Sequence, residues 1–216
     1  MPHFEHPTET VFTWAAPPLK FGLGALAETG QDLRALGVTN ALVITDPGVA
    51  ASEVPDRVAH AIKAAGLGCD IFDGVAVEPT DASIEEAVAF ARSGDWDGYI
   101  AVGGGSAMDT AKAVNLLTTQ PGTLMDYIAP PIGGGKVPEL PVKPLIAVPT
   151  TAGTGSEATT ICVVDLLDLR LKAGISHPRL RPAMAVVDPL TTLSVPPAVT
   201  AASGMDVLTH AAESYT

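Results

Sequence analysis

Gly98-Tyr-Ile-Ala-Val102 runs directly into Gly103-Gly104-Gly105-Ser106, and apolar residues then recur at Ala111, Val114 and Leu117. An apolar run, a glycine turn and a helical period in immediate succession read as a strand feeding a helix N-terminus. The same grammar extends both ways. Upstream, Ala41-Leu-Val-Ile-Thr45 ends in the turn signal Asp46-Pro47-Gly48, and Val58, Ile62 and Ala65 follow at helical spacing. Cys69-Asp-Ile-Phe72 is the next strand, and Thr80 or Asp81 caps a helix whose apolar side is Ile84, Val88 and Ala91. Downstream lies a Pro/Gly-rich loop, residues 121–142, and then Pro144-Leu-Ile-Ala-Val148, a continuous apolar run suited to a strand covered on both faces. Alternation of this kind predicts an α/β domain with a mostly parallel sheet.

Two segments depart from the alternation. Ile161-Cys-Val-Val164 and Leu169-Arg-Leu-Lys172 flank an acidic turn and predict a hairpin beside the sheet. From Pro196 the pattern is helical, with Pro196-Pro197 opening one helix and Ser203-Gly204 breaking before another. The expected organisation is therefore an α/β domain over 1–195 and the beginning of a helical region over 196–216. That second stretch is too short to fold alone, and it stops inside a helix without a stop signal.

Composition excludes several function classes. The 216 residues carry 12 Lys+Arg against 24 Asp+Glu, a net charge of −12, with no basic cluster. That argues against nucleic acid or an anionic membrane as a partner. At 47% hydrophobic and 17% charged, the chain is too apolar for a disordered acidic tail, yet it contains no run long enough to span a bilayer. Cys69 and Cys162 lie in strand-like runs without a CxxC partner, which fits buried thiols in a reducing compartment. Met1–Phe12 has no Arg, carries Glu5 and Glu9, and lacks an apolar core. The expectation is a cytoplasmic protein.

In a parallel sheet, ligands meet the carboxyl ends of strands. Gly103, Gly104, Gly105 and Ser106 would present backbone N–H groups to a pyrophosphate, with Asp109 placed to cap the first turn; a tight turn with a Ser cap is the competing reading. The second loop, Thr150-Thr-Ala-Gly-Thr154-Gly155-Ser156, adds hydroxyls. Its Gly153-x-Gly155-x-x-Ala158 fits the dinucleotide fingerprint, but so does Gly22-x-Gly24-x-x-Ala27, so the pattern alone decides little. Gly133-Gly-Gly-Lys136 lacks the Ser/Thr of a P-loop and reads as a flexible loop. Asp46, ending a strand, can accept hydrogen bonds from an adenosine ribose and would repel a 2′-phosphate, favouring NAD over NADP; an Asx turn with Pro47-Gly48 explains it equally. Asp206 and His210 lie four apart, on one helix face, and offer one oxygen and one nitrogen to Fe²⁺ or Zn²⁺; a solvated helix pair is the plainer reading. Glu213, one turn on, is a candidate third donor or simply a surface acid.

Three stretches taken together, Gly103–Lys112, Pro149–Glu157 and Gly204–Tyr215, resemble the iron-containing (group III) alcohol dehydrogenases in order and spacing. The resemblance runs from about Phe21 to the last residue. Val77–Asp81, Leu124–Tyr127, the loop before Pro144–Thr150 and the stretch from Ile175 are most similar to that family's hydroxyacid–oxoacid transhydrogenase branch.

The resemblance implies a Rossmann-like domain followed by an all-helical, metal-holding domain, the architecture shared with dehydroquinate synthase. By position, Gly103 to Ser106 would bind pyrophosphate, with Thr150, Thr151, Thr154 and Thr159 lining the cofactor cleft. Lys172 would reach the nicotinamide-side ribose, and Asp46 the adenosine ribose. Asp206 and His210 match the first two metal ligands; the family's other two are histidines further along a chain about twice this length, with no counterpart here. The implied cofactors are NAD or NADP and a divalent metal, Fe²⁺ foremost and Zn²⁺ next. The implied partners are a small alcohol or hydroxyacid, an oxoacid, and a second copy of the chain. Competing expectations are an ordinary NAD-dependent alcohol dehydrogenase, a zinc-dependent polyol dehydrogenase or lyase of the same architecture, and a truncated module that binds dinucleotide without catalysis.

Overall fold

The apolar runs become the inner strands of one parallel sheet. The computed structural model describes residues 15–215. The readings made on Met1–Phe12 and on Thr216 lie outside the described residues. The strands are β1 (Leu19–Phe21), β2 (Asn40–Thr45), β3 (Gly68–Phe72), β4 (Gly98–Gly103), β5 (Leu145–Pro149), β6 (Ile161–Leu166), β7 (Leu171–Ser176) and β8 (Met184–Val187). Six of them form a sheet in the order β1-β8-β5-β4-β2-β3, parallel throughout.

Every residue of β4 and β5 is buried, as a parallel strand covered on both faces requires. The period of two sends alternate side chains to opposite layers. Leu42, Ile44, Tyr99, Ala101, Leu145 and Ala147 pack in one core with α4 (Asp81–Arg92) and α5 (Gly105–Thr119). Ala41, Val43, Ile100, Val102, Ile146 and Val148 pack in the other, where Leu33 of α1 (Thr29–Ala35) and Val58 and Ile62 of α3 (Val54–Ala64) meet them. Thr80 caps α4 in a reciprocal capping box with Ser83.

Strand order locates the ligand-binding end. From β2 the chain steps outward to β3, and the next crossover, through α4, returns past β2 to β4 on its other side. The turns leaving β2 and β4 therefore diverge, which opens a crevice at the carboxyl ends of these strands. The predicted hairpin is present: β6 and β7 pair antiparallel, and Cys162, Val164 and Leu166 pack into the α4/α5 core.

Two expectations are corrected. The helix α7 (Pro197–Glu213) runs unbroken through Ser203-Gly204. A single interior glycine costs a helix only about 1 kcal/mol, too little to break 17 residues. The glycine loop read as flexible is tied to the short helix α6 (Leu124–Tyr127) and its exit: Gly134 donates to Met125 O, Gly135 to Ile128 O and Lys136 to Asp126 O, at 2.8–2.9 Å.

Candidate functional site

At the switch point lies a cleft of about 890 Å³, bounded by the ends of β2, β4 and β5 and roofed by the first turns of α7. Asp46, Gly104, Gly105, Ser106, Thr150, Thr151 and Thr154 line it, with Val77 and Glu78 on one side and Val199, Ser203 and Asp206 on the α7 side.

The turn after β4 is built for close approach. Gly103 has φ +154°, and a Cβ there would stand 2.7 Å from the Ala107 Cβ. Gly104 is the N-cap of α5 and makes no side-chain capping bond, so that helix start lacks a side-chain acceptor. Neither expected cap forms. Ser106 instead donates its hydroxyl to the Val77 carbonyl. Asp109 accepts from the Ser156 hydroxyl and, at 2.9 Å, from Val163 N–H.

The threonine loop closes on that turn. Thr150 N–H donates to Gly103 O at 2.9 Å, which joins the two loops at their base. Thr151 Oγ1 lies 3.3 Å from where a Gly104 Cβ would be, and Thr154 Cγ2 lies 3.0 Å from the equivalent point of Gly105. The glycines thus leave room for the two threonines as well as for a ligand. No helix follows Gly153-x-Gly155-x-x-Ala158, so this match to the fingerprint lacks its structural context. The other match is used up internally: Gly24 and Leu26 donate their N–H groups to the buried Asp188, at 3.1 and 3.3 Å.

Asp46 serves two ends. Its Oδ1 accepts from Val49 N–H at 3.0 Å and caps the short helix α2 (Pro47–Ala50), while the side chain lines the cleft beside Gly103. The Asx-type reading and the ribose reading therefore occupy the same residue without conflict. Thr159 and Lys172 stand off the lining. Thr159 accepts from Lys112 Nζ at 3.1 Å, and Lys172 pairs with Glu78 at 3.2 Å on the surface.

Asp206 and His210 face each other along α7, with Nε2–Oδ1 3.8 Å and both side chains about half-exposed. Asp206 lines the cleft and His210 does not. Among the described residues no three His, Cys, Asp or Glu side chains converge, so Glu213 does not complete a three-donor cluster. Burial pushes the Cys69 thiol up to about 11 and raises that of Cys162 further, so neither is a thiolate nucleophile near neutral pH.

One buried group was not assigned a role from the sequence. Lys112 is 1% exposed, and its ammonium reaches Ser156 and Ile161 as well as Thr159. The available signal was a lone cation on the apolar stretch Ala111–Leu117, three residues after Asp109.

The model of one family, iron-containing alcohol dehydrogenase, matches residues 17–189. The chain belongs to this family. It is 44% identical over 210 residues to the mitochondrial hydroxyacid–oxoacid transhydrogenase of Xenopus tropicalis, covering 97% of the chain and 45% of that relative. To the human protein of the same name it is 43% identical, with the same coverage. The chain therefore spans about half the length of these curated relatives. Among solved structures, a 1,3-propanediol oxidoreductase superposes with TM-score 0.86 at 35% identity, over 94% of this chain and 52% of that one. A sulfoacetaldehyde reductase from Bifidobacterium kashiwanohense, in complex with NAD⁺, gives 0.83 at 32% identity, over 93% and 52%. Over the superposed length, both structures are similar in fold to this chain. Among the described residues, no helix is long and apolar enough to cross a membrane.

Proposed function

We propose that this chain carries the dinucleotide-binding part of a metal-dependent, NAD-linked oxidoreductase. In its specific form it would be a hydroxyacid–oxoacid transhydrogenase, converting 4-hydroxybutyrate and 2-oxoglutarate to succinic semialdehyde and 2-hydroxyglutarate. The observation that carries the reading is the switch-point cleft, where an uncapped glycine helix start faces a threonine loop. Identity of 44% to a transhydrogenase along nearly the whole chain supports the specific form. We also propose that residues 1–195 form the cofactor domain and that α7, from Pro196–Pro197, begins a helical one. Asp109, Thr159 and Lys172 belong to the site through the loops that they hold.

The residues fit the two implied groups unequally. For a dinucleotide, the bare turn at Gly103–Gly105 would accept the pyrophosphate, and Asp46 the adenosine ribose. Glu78 and Asp46 both line the cleft, so a 2′-phosphate would meet negative charge. For a divalent ion, Asp206 and His210 supply two donors where a catalytic site takes three or more from protein. When bound, the nicotinamide supplies a hydride acceptor and the ion supplies Lewis-acid polarisation of an alcohol oxygen. The chain's own part is positional. The threonine hydroxyls and α5 N–H groups orient the dinucleotide, and α7 sets Asp206 at the cleft, with His210 one turn further along the helix.

A second reading is favoured by the two-donor geometry: these 216 residues bind dinucleotide and do not turn over alcohol. Fluorescence titration of the purified chain with NADH tests the shared claim. Saturable binding with NADPH weaker is expected, and Asp46→Ala should narrow that preference. Absence of NADH binding would sink both readings. Alcohol-dependent turnover with stoichiometric iron or zinc would eliminate the second. Turnover with free NAD⁺ and no oxoacid would replace the transhydrogenase with an ordinary alcohol dehydrogenase. The curated transhydrogenase relatives are named as mitochondrial, whereas a cytoplasmic place is our proposal for this chain; the distribution of a carboxyl-terminal fluorescent fusion between the two compartments tests it.

A further inference from the structure

We infer that Lys112 is the positioning residue that locks the threonine loop to the glycine-turn helix, so that the two phosphate-side loops act as one preformed receptor. This rests on the dinucleotide reading of the cleft.

The geometry is a matched set. An ammonium has three N–H donors, and Lys112 Nζ finds three acceptors: Ser156 Oγ at 2.9 Å, Thr159 Oγ1 at 3.1 Å and Ile161 O at 2.8 Å. Ser156 accepts from Lys112 and passes its own hydroxyl proton toward Asp109, whose second oxygen takes Val163 N–H. Asp109 and Lys112 are one turn apart on α5, with Nζ–Oδ1 3.6 Å. Both project from the helix that begins at the glycine turn. Together they grip the far end of the threonine loop and the first residues of β6. The near end is held separately, by Thr150 N–H on Gly103 O. A loop fixed at both ends to the same strand–turn–helix unit keeps Thr151 and Thr154 against Gly104 and Gly105 before any ligand arrives.

The arrangement also carries a desolvation cost. Burial pushes the Lys112 pKa down, and Asp109 opposes the shift as its nearest counter-charge. An apolar residue in its place would avoid that penalty and still fill the α4/α5 core. The polar set also lies directly behind the cleft. Ser156 is two residues from Thr154, which lines it. Preorganisation spares a ligand the entropy of ordering the loop, so its loss should appear as weaker binding.

The test uses the full chain with Lys112→Met, and Ser156→Ala as a milder variant in case the first folds poorly. Val58→Ala, in the opposite core against α3, is the control for stability loss away from the site. In hydrogen–deuterium exchange without ligand, amides of 151–160 should exchange faster in Lys112→Met and Ser156→Ala, with β2 and β4 unchanged. NADH Kd should rise at least tenfold in Lys112→Met and less in Ser156→Ala, and should stay within twofold in Val58→Ala. If 151–160 remain as protected as in the wild type, or if affinity falls only in step with melting temperature across all three variants, the positioning role is wrong. Failure of the wild-type chain to bind NADH would instead overturn the dinucleotide reading, while the ligand-free exchange still decides whether Lys112 pins the loop.

Discussion

At the scale of single residues, short polar side chains do most of their work at strand ends. Asp97, at the entry to β4, accepts Thr39 N–H at 2.9–3.0 Å, the Thr39 hydroxyl at 2.6 Å and Asn40 N–H at 2.8 Å. These bonds set the start of β2 against β4, beneath the strands whose far ends form the cleft. Partial burial pushes the Asp97 carboxyl up, but the hydrogen bonds from Thr39 and Asn40 outweigh it and hold the pKa below the ordinary 3.8. The unfolded chain therefore takes up the proton first as pH falls, so the stabilisation is full above about pH 4 and is lost through the lower folded value. Asp97→Ala should cost about 1–3 kcal/mol at neutral pH. In urea melts the gap to wild type should narrow as pH falls below the ordinary 3.8, and a gap that stays constant would show that the charge is irrelevant.

At the scale of elements, two glycines that look alike in sequence should respond oppositely to the same change. Gly204 sits inside the exposed helix α7, and a Cβ there would meet nothing within 4 Å. Gly204→Ala should therefore stabilise α7 by about 0.5–1 kcal/mol. Gly153, in the threonine loop, faces the same helix: a Cβ would fall 2.6 Å from the Ser203 carbonyl oxygen. Gly153→Ala must push α7 off the loop and move Asp206 away from the cleft. Exchange of α7 amides should slow in the first variant and quicken in the second, and the same sign in both would refute this packing. The contrast shows where sequence reading succeeds. Elements with continuous apolar runs or a helical period, such as β4, β5 and α4, were legible because burial itself writes the pattern. The hairpin was legible for the same reason. The switch point, the role of Asp109 and the unbroken α7 were not. Asp109 meets a partner 47 residues away, and Gly204 is tolerated by an energy balance that no local signal records. The cleft residues were legible only as far as strand ends and glycine turns point to them. Val77, Glu78 and the α7 lining come from elements brought there by the fold.

At the scale of the whole molecule, two opposing surface properties meet. A net charge of −12 keeps copies apart, yet α7 has no buried residue and exposes Val199, Met205, Val207 and Leu208. Val199 to Leu208 span about 14 Å of this 17-residue helix. Leu19, Phe21 and Leu23 are also exposed, on and just after the edge strand β1. Exposed apolar surface drives association, while like charge opposes it over a distance that salt shortens. The balance predicts reversible self-association that strengthens with ionic strength, the reverse of a contact held by ion pairs. Sedimentation velocity at about 50 mM and 500 mM salt should show the shift, since the screening length falls from roughly 14 Å to 4 Å between them. Because the helix exposes four large apolar side chains against three at the sheet edge, Met205→Lys with Leu208→Lys should leave the chain monomeric at both salts. Phe21→Lys should have little effect. If Phe21→Lys alone disperses the chain, the sheet edge and not α7 is the adhesive surface. A monomer at both salts in the unmodified chain would show that the negative charge outweighs both.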